Sequence, residues 1–386
     1  MPAGGRALNI LADREINSVA EHFSALGELR LFDGRQLDAD MLGDAEVLLV
    51  RSVSKVNAQL IKGSRLRFVG SATAGIDHID LAALAAADIA FSAAPGCNAH
   101  PVAEHVVTVL YAHAARLQCA PRELTVGIIG CGHVGRSLAR LLDALAIPHL
   151  DHDPPRAAHD AGFRSVSRAA ALACEVVTLH VPLLADGPWP TVNLLDGDAI
   201  AALRPGTLVI NAARGGVLDE AALCERLQGP QALVAAIDCW RGEPRVDKQL
   251  LPRAWLATPH LAGHSREARL AATRLLWEAL RQWRGLAPVS APVVLPSLVT
   301  PLDFPAQGGT VALLARLYPI AAHDARMRAT LNMSRALAGA HFDDIRRRYA
   351  LRREFGAYSV ASAGLAPDTV AELTALGFHC RAAAAP

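Results

Sequence analysis

The strongest fold signal in this chain is the stretch TVGIIGCGHVG, residues 125–135. It opens with a short apolar run typical of a buried strand, and apolar residues at the helical period follow from Val134 to Leu145. Between them stand Gly130, Gly132 and Gly135, at the spacing G-x-G-x-x-G. In a chain with 29 glycines this spacing alone is weak evidence. A strand before it and a helix after it make it the predicted start of a βαβ unit.

The three glycines predict a site for the phosphates of a dinucleotide. Gly130 permits the tight turn, Gly132 leaves room for the pyrophosphate, and Gly135 lets the helix and the strand pack closely. His133 and Val134 begin the helix, so their backbone amides are free to bind phosphate oxygens, which the helix dipole also attracts. The alternative interpretation is a purely structural glycine turn.

An acidic residue is expected at the end of the next strand, where it would bind the ribose of the dinucleotide. That strand, around residues 149–150, runs into the sequence DHDPP, residues 151–155. A carboxylate there accepts hydrogen bonds from both ribose hydroxyls and repels the 2′-phosphate of NADP. We assign this role to Asp153 rather than to Asp151, and we predict NAD as the cofactor.

Strands and helices alternate in two successive series, which predicts an α/β fold. The first series has helices around residues 15–26 and 81–87, between strands at Ala7–Ala12, Val47–Val50, Leu66–Val69 and Ile89–Phe91. A connecting helix, Ala99–Leu117, leads to a second series with strands at Thr125–Ile129, Val176–Leu179, Thr207–Asn211, Leu233–Ile237 and Leu256–Thr258. A helix around Arg266–Arg284, a linker at Ala287–Pro305 and an arginine-rich, mostly helical tail follow, and Ala382–Pro386 are expected to fray.

Composition excludes several classes of protein. The 386 residues carry a formal net charge of +1, without the clustered basic excess expected of a nucleic-acid or membrane-surface partner. No stretch approaches the ~20 apolar residues of a membrane span. The seven cysteines form no C-x-x-C pair, which argues against disulfides and against a structural metal site. We therefore expect no metal, no nucleic acid, no membrane and a cytoplasmic location.

Three side chains that suit hydride chemistry follow three of the later predicted strands. Ligands of parallel sheets bind at the carboxyl ends of strands, so Arg214, Glu243 and His260 are expected to converge. Oxidation of a secondary alcohol needs a base for the hydroxyl proton, and imidazole titrates near working pH. A carboxylate orients that base, and a guanidinium holds a substrate carboxylate through its planar fork. Each residue alone has an ordinary structural explanation, but together they predict a dehydrogenase of small 2-hydroxy acids.

These motifs, in their order and spacing, resemble those of the D-isomer-specific 2-hydroxyacid dehydrogenases. The matching segments are the glycine motif with Asp153, HVPL (180–183), LRPG (203–206), NAARGG (211–216), DCWRGEP (238–244) and TPHLAG (258–263). The resemblance implies two Rossmann-like, doubly wound parallel-sheet domains with the active site in the cleft between them. It also implies that NAD contacts Asp238, Gly263 and the backbone of Ala212, Ala213 and Arg214.

Further segments narrow the resemblance to a branch of the family with a phosphorylated substrate. They are LVRSV (49–53), FVG (68–70), TAGIDH (73–78) and APGCNA (94–99), while IRRRY (345–349) and LRRE (351–354) are similar to a C-terminal dimerisation domain. This implies substrate contacts at Ser52 and Thr73, and a homodimer. Phosphate also needs a cation, for which Arg51 is the main candidate, although it has an alternative reading as an exposed strand-end arginine. The arginines at 346–348 and 352–353 either reach toward substrate across a dimer or form a solvated helix face.

The implied architecture has three parts. Residues 1–98 with 264–288 form a substrate-binding domain, residues 99–263 an NAD-binding domain, and residues 289–386 a small C-terminal α+β dimerisation domain.

Two positions depart from the branch pattern and bear on the exact substrate. His264 replaces a tyrosine that contacts substrate, and His100 replaces an arginine. Two other functions stay open. One is another member of the family, such as one acting on 3-phosphoglycerate, against which the arginine-rich helical tail argues. The other is a dinucleotide-sensing scaffold or corepressor, against which the intact set of Arg214, Glu243 and His260 argues.

Overall fold

Parallel strands form the core of both units into which the chain divides. The computed structural model describes residues 7–290, 299–349 and 352–381. The first unit contains the described residues of 1–98 and 266–298, and the second those of 99–265 and 299–386. The predicted fraying of 382–386 and the middle of the predicted linker, residues 291–298, lie outside the described residues. The three-domain boundaries given above stay a prediction.

The first unit contains a five-stranded parallel sheet in the order β2-β1-β3-β4-β5. Its strands are β1 (Leu8–Asp13), β2 (Gly27–Phe32), β3 (Val47–Val50), β4 (Phe68–Ser71) and β5 (Ala90–Ser92). The helices between them are short: α1 (Val19–Phe23), α2 (Ala39–Leu42), α3 (Ala58–Ile61) and α4 (Leu81–Ala86). Asp38, Asn57 and Asp80 cap the last three of these helices, since each side chain accepts a hydrogen bond from a first-turn amide.

The edge strand β2 is the element of this sheet that the sequence patterns do not predict. Its sequence, GELRLF, mixes charged and apolar residues because it pairs with β1 alone and leaves most of its side chains exposed. Gly27 lets it approach β1, since an added Cβ would lie 2.1 Å from the carbonyl oxygen of Leu8. An edge strand carries less of the buried apolar signal on which strand prediction depends.

The second unit contains a six-stranded parallel sheet in the order β11-β10-β9-β8-β6-β7. After α5 (Ala99–Leu117), its strands are β6 (Val126–Ile129), β7 (His149–His152), β8 (Val176–Leu179), β9 (Leu208–Asn211), β10 (Val234–Ile237) and β11 (Leu256–Ala257). The connecting helices are α6 (His133–Ala144), α7 (Pro154–His159), α8 (Arg168–Leu172), α9 (Gly197–Ala202) and α10 (Glu220–Arg226). The strand order reverses beside β6, which places a topological switch point at the predicted glycine turn.

Helix α11 (Arg266–Trp283) returns the chain to the first unit. Leu276, Trp277 and Leu280 are buried in one cluster with Ile10 and Phe68 of the five-stranded sheet. The described part of the chain contains no helix with both the length and the apolar character that crossing a membrane requires.

The tail is mostly helical and also contains strands, in agreement with the predicted α+β class. A three-stranded parallel sheet, in the order β12-β13-β14, includes one strand inside the predicted linker. The elements are β12 (Thr300–Leu302), α12 (Gly309–Leu317), α13 (Ile320–Arg328), α14 (Arg335–Arg348), β13 (Tyr358–Ala361), α15 (Pro367–Ala375) and β14 (His379–Arg381). The α/β fold class with two doubly wound parallel sheets and a smaller C-terminal sheet is thereby confirmed.

A buried ion pair joins the tail to the first helix of the second unit. Glu104 is fully buried in α5, where it pairs with Arg352 and accepts a hydrogen bond of 2.6 Å from the amide of Phe355. Arg352 also donates to the carbonyl oxygen of Pro101 at 2.9 Å and lies 4.5 Å from the ring centroid of Tyr318. Burial alone would raise the pKa of Glu104, but the charge of Arg352 holds it below its ordinary value. Each charge therefore depends on the other for compensation.

Candidate active site

The glycine turn after β6 has the backbone that a dinucleotide requires. Gly130 has φ +93°, and an added Cβ would lie 2.7 Å from Val181 Cγ1. At Gly135 a Cβ would lie 2.1 Å from the carbonyl oxygen of Gly130, so close packing excludes any side chain. At Gly132 a Cβ would meet nothing within 4 Å. Packing therefore demands the outer two glycines, whereas the middle one borders the open space that a pyrophosphate needs.

Helix α6 begins at this turn without a side-chain cap. Gly132 is its N-cap residue and has no side chain to accept a hydrogen bond from the first-turn amides, which begin at His133 and Val134. His133 is exposed and Val134 is half-buried. Free amides at the start of a twelve-residue helix fit the phosphates of NAD.

Asp153 lies beside the glycine turn and is fixed by two backbone hydrogen bonds. Its carboxylate accepts from the amide of Cys131 at 2.7 Å and from the amide of Arg156 at 2.9 Å. It lines a cavity of about 420 Å³ together with Cys131, Gly132, Arg136, Pro155, Arg156, His159 and Asp160. Asp151 is instead hydrogen-bonded to His149 Nδ1 at 2.7 Å and does not line this cavity. Asp153 therefore borders the cavity beside the glycine turn and Asp151 does not, while the role of Asp153 as the ribose acceptor of NAD stays a prediction.

We expect Asp153→Ser to raise the ratio of kcat/KM with NADP to kcat/KM with NAD by about 10- to 100-fold. The substitution removes the negative charge that opposes a 2′-phosphate, while Arg136 and Arg156 still line the same cavity. Both absolute efficiencies are expected to fall, because Asp153 also holds the amide of Cys131. Steady-state kinetics with each cofactor measures the ratio.

Asp151→Ser is the matched control, since it removes the neighbouring acid from outside the cavity. An equal change of the ratio in both variants, or no change in Asp153→Ser, would contradict the assignment of Asp153.

The predicted acid–base pair is formed in the second unit. His260 Nδ1 lies 2.8 Å from Glu243 Oε2, while Glu243 Oε1 accepts a hydrogen bond of 2.7 Å from the amide of Trp240. The side chains are 29% and 20% exposed, so the imidazole is accessible from solvent. Because Nδ1 faces the carboxylate, Nε2 is the ring nitrogen that remains to exchange a proton with substrate.

The carboxylate of Glu243 is held in its charged form. Burial alone would raise its pKa, but the charge and the hydrogen bond of His260, the amide of Trp240 and the charge of Arg346 together lower the pKa below its ordinary value. An ionised carboxylate on Nδ1 fixes the orientation of the ring and stabilises its protonated form.

Asp238 holds the turn that carries His260. Its carboxylate accepts hydrogen bonds from Thr258 Oγ1 at 2.6 Å, from the amide of Leu261 at 2.7 Å and from the amide of Ala262 at 3.0 Å. The amide of His260 donates to the backbone carbonyl of Asp238 at 2.8 Å, and the backbone of His260 is left-handed, with φ 54°. Direct NAD contacts of Asp238 and of Gly263, two residues farther along than Leu261, stay predictions.

Arg214 lies beyond the carboxyl end of β9, which neighbours β10 in the sheet. Asn211 Nδ2 donates to the carbonyl oxygens of Arg214 and Cys239, each at 3.0 Å, and so ties the two strand ends together. The guanidinium of Arg214 donates to the carbonyl oxygen of Ala213 at 2.8 Å, and the amide of Ala213 donates to Asn211 Oδ1 at 3.2 Å. Ala212 is the half-buried residue between them. The ends of β9, β10 and β11 thus bring Arg214, Glu243 and His260 to one edge of the sheet.

At this edge Cys239 was not singled out by sequence reasoning, and Arg346 was named only as one of a cluster of arginines. The side-chain atoms of Cys239, Glu243 and His260 that are able to bind a metal ion all lie within 4.8 Å of one another. Burial raises the pKa of the Cys239 thiol well above its ordinary value. Arg346, in α14, acts on Glu243 from the tail. A buried cysteine beside a strand end and one arginine among many carry no signal that distinguishes them in the sequence. The expectation of no metal stays a prediction.

The predicted substrate residues of the first unit lie at the carboxyl ends of β3 and β4. Arg51 donates through Nε to the fully buried Asp13 at 2.9 Å, so its charge is partly compensated. Ser52 is exposed. Thr73 Oγ1 donates to the carbonyl oxygen of Gly75 at 2.7 Å and lies 2.6 Å from Ser71 Oγ. Their roles stay predictions.

The two departures from the branch pattern both lie beside the tail. The ring of His264 meets that of Tyr349 edge-on, with centroids 6.5 Å apart. His100 Nε2 lies 3.3 Å from Glu104, and this hydrogen bond raises the pKa of His100. The substrate role of His264 also stays a prediction.

Comparisons with known proteins agree with this geometry. The family model of the D-isomer specific 2-hydroxyacid dehydrogenase NAD binding domain matches residues 97–262, and a domain of unknown function, DUF3410, matches residues 307–377. The erythronate-4-phosphate dehydrogenase of Marinobacter nauticus is 41% identical, over 96% of this chain and 99% of that protein. The enzyme of the same name from Pseudomonas paraeruginosa is 42% identical, over 93% and 96%.

A solved structure shows the same fold. The NAD⁺-bound 3-phosphoglycerate dehydrogenase of Entamoeba histolytica is 21% identical, with a TM-score of 0.61 over 72% of this chain and 96% of that one. The confirmed α/β fold, the glycine turn and the near full-length similarity all indicate the same family. The chain belongs to the erythronate-4-phosphate dehydrogenases, within the NAD-dependent D-isomer specific 2-hydroxyacid dehydrogenases.

Proposed function

We propose that this chain oxidises 4-phospho-D-erythronate at C2 to 2-oxo-3-hydroxy-4-phosphobutanoate, a step of pyridoxal 5′-phosphate (vitamin B6) biosynthesis. The observation that carries the proposal is the 2.8 Å contact between His260 Nδ1 and Glu243 at the carboxyl edge of a nucleotide-binding sheet. The similarity to two enzymes named erythronate-4-phosphate dehydrogenase supports the substrate.

NAD, when bound, supplies the hydride acceptor. His260 takes the proton of the C2 hydroxyl at Nε2 as the hydride leaves the carbon, and Glu243 stabilises the imidazolium that forms. Arg214 holds the substrate carboxylate and polarises the oxygen on the reacting carbon through its planar fork. The product then carries a carbonyl at C2, and the proton remains on His260 until solvent removes it.

The residues that we assign to the rest of the substrate are those that the family resemblance implies. We assign substrate contacts to Ser52, Thr73 and His264 and the phosphate to Arg51, whose guanidinium is held in place by Asp13. We further propose a homodimer formed through the tail, and a cytoplasmic location. All seven cysteines are free thiols, which agrees with a reducing compartment.

A substrate panel tests the proposed function. Purified protein with NAD is offered 4-phosphoerythronate, 3-phosphoglycerate and lactate, and the absorbance of reduced nicotinamide is followed. We expect kcat/KM to be highest for 4-phosphoerythronate, since the relatives that cover nearly the whole chain are named for that substrate. A preference for 3-phosphoglycerate would assign another reaction of the family. Nicotinamide binding without turnover of any of the three would instead favour a sensing scaffold.

A further inference from the structure

Helix α14 of the tail packs directly on the loop that carries Glu243. At Gly339 an added Cβ would lie 3.6 Å from Pro244 Cγ, so the helix approaches this loop closely. Phe342, one turn later, is fully buried in the same apolar cluster as Trp240. Lys248, four residues after Pro244, donates hydrogen bonds to the carbonyl oxygens of Leu331 at 3.0 Å and Met333 at 2.6 Å, in the segment that precedes α14. The tail therefore forms part of the surroundings of the acid–base pair.

Arg346 differs from the two arginines that follow it. Arg347 and Arg348 have side chains 70% and 78% exposed, and both pair with Asp344 on their own helix. The Nε atom of Arg346 is buried and has no hydrogen-bond partner among the described residues, and its guanidinium lies 5.9 Å from the ring centroid of Phe342. A half-buried cation without a carboxylate in contact is costly unless a nearby negative charge compensates for it. Its charge acts on Glu243 and on Cys239.

We propose that Arg346 is a positioning residue of the proposed dehydrogenase, which holds a positive charge against the Glu243–His260 pair. This rests on the proposed roles of that pair. A cation at this place opposes protonation of the pair, so the carboxylate stays ionised and keeps its contact with Nδ1. The tail would thus take part in the chemistry by keeping Glu243 ionised beside His260.

Other charged groups also face Glu243 and bear on any pH dependence. Glu220, at the start of α10, accepts a hydrogen bond of 2.6 Å from the amide of Arg241, and burial raises its pKa to about 7. Asp247 and Glu243 act on Glu220 as like charges. Arg214 acts on Cys239, Arg245 contacts α14 near Gly339, and α14 itself carries His341, Asp343 and Asp344. All of these remain in an Arg346 variant, so a difference from wild type reports Arg346.

The test compares Arg346→Gln with Arg347→Gln, a matched control one residue along the same helix. The titration of the pair is followed in the full chain by NMR of labelled histidine, with His260→Gln identifying the resonance. The loss of this positive charge is expected to move the pH midpoint of the pair upward by about 0.5–1 pH unit in Arg346→Gln. Arg347→Gln is expected to superimpose on wild type, and Arg346→Lys to restore most of the shift. This readout requires no turnover, so it stands or fails separately from the proposed substrate.

The acid limb of kcat/KM, measured with whichever substrate of the panel is oxidised, is expected to move by the same amount and in the same direction. If Arg346→Gln left the pH midpoint of the pair unchanged but raised KM, Arg346 would be a substrate contact and the proposal would be overturned. If the pH midpoint stayed unchanged and the urea concentration at half-unfolding fell, the role of Arg346 would be purely structural and the proposal would be overturned. Equal shifts in Arg346→Gln and Arg347→Gln would show an effect of net charge and would also overturn it.

Discussion

His260→Gln is expected to lower kcat/KM by about 10²- to 10⁴-fold, the range of a lost general base. Glutamine keeps a polar side chain that Glu243 can still contact, so the loss would come from proton transfer rather than from an empty space. The residual rate is expected to lose its dependence on pH in the acid range, because the titrating base is gone. Steady-state rates across the pH range, with KM and kcat separated, measure both effects.

His379→Gln serves as the control, because His379 lies exposed on β14 in the tail sheet. A rate for His260→Gln within a few-fold of the control would exclude His260 as the base. Dissociation constants for NAD, measured by fluorescence, are expected to stay close to wild type in both variants, since the glycine turn and Asp153 are unaltered.

Arg214→Gln is expected to lower kcat/KM by about 10²- to 10³-fold, the scale of one lost group that stabilises developing charge. Glutamine can donate a single hydrogen bond but supplies neither the charge nor the two parallel donors that a carboxylate requires. KM for the hydroxy acid is expected to rise and kcat to fall together, because the residue acts on both the substrate carboxylate and the reacting oxygen. Arg214→Lys is expected to recover only part of the loss, since an ammonium lacks the planar fork.

Arg204→Gln is the control for this series. Arg204 has a side chain 63% exposed and forms a 3.7 Å ion pair with Glu175. Both residues precede their strands, β9 and β8, at the edge of the sheet opposite Arg214. An Arg214→Gln enzyme with unchanged kcat and a KM raised by less than about tenfold, or about 1.4 kcal/mol of binding, would contradict a role in the transition state.

The glycine turn shows how far local pattern carries a prediction. Strand, turn and helix are adjacent in the chain, so Gly130, Gly132, Gly135 and Asp153 could all be assigned before any coordinates. The connecting helix Ala99–Leu117 was likewise predicted with the bounds that the structure has. In both cases the residues that determine the local structure are close together in the sequence.

The small sheet of the tail shows where local pattern fails. Its strands are three or four residues long, and one of them lies inside the proline- and valine-rich segment that was predicted to be a linker. Glu104 could not be foreseen as one half of a buried ion pair, because its partner, Arg352, lies 248 residues away. Short strands and distant ion pairs are stabilised by tertiary contacts that leave little trace in any local window.

From the residues alone follow the two series of strands and helices, the preference for NAD and the three side chains proposed for catalysis. The family resemblance added that the two sheets are doubly wound. Folding in three dimensions was needed for the 2.8 Å contact of Glu243 with His260, for the hydrogen bonds that make Asp238 the support of that turn, and for the approach of Arg346. The reason is physical: local sequence sets which element forms, whereas the charge around a side chain depends on every element packed against it.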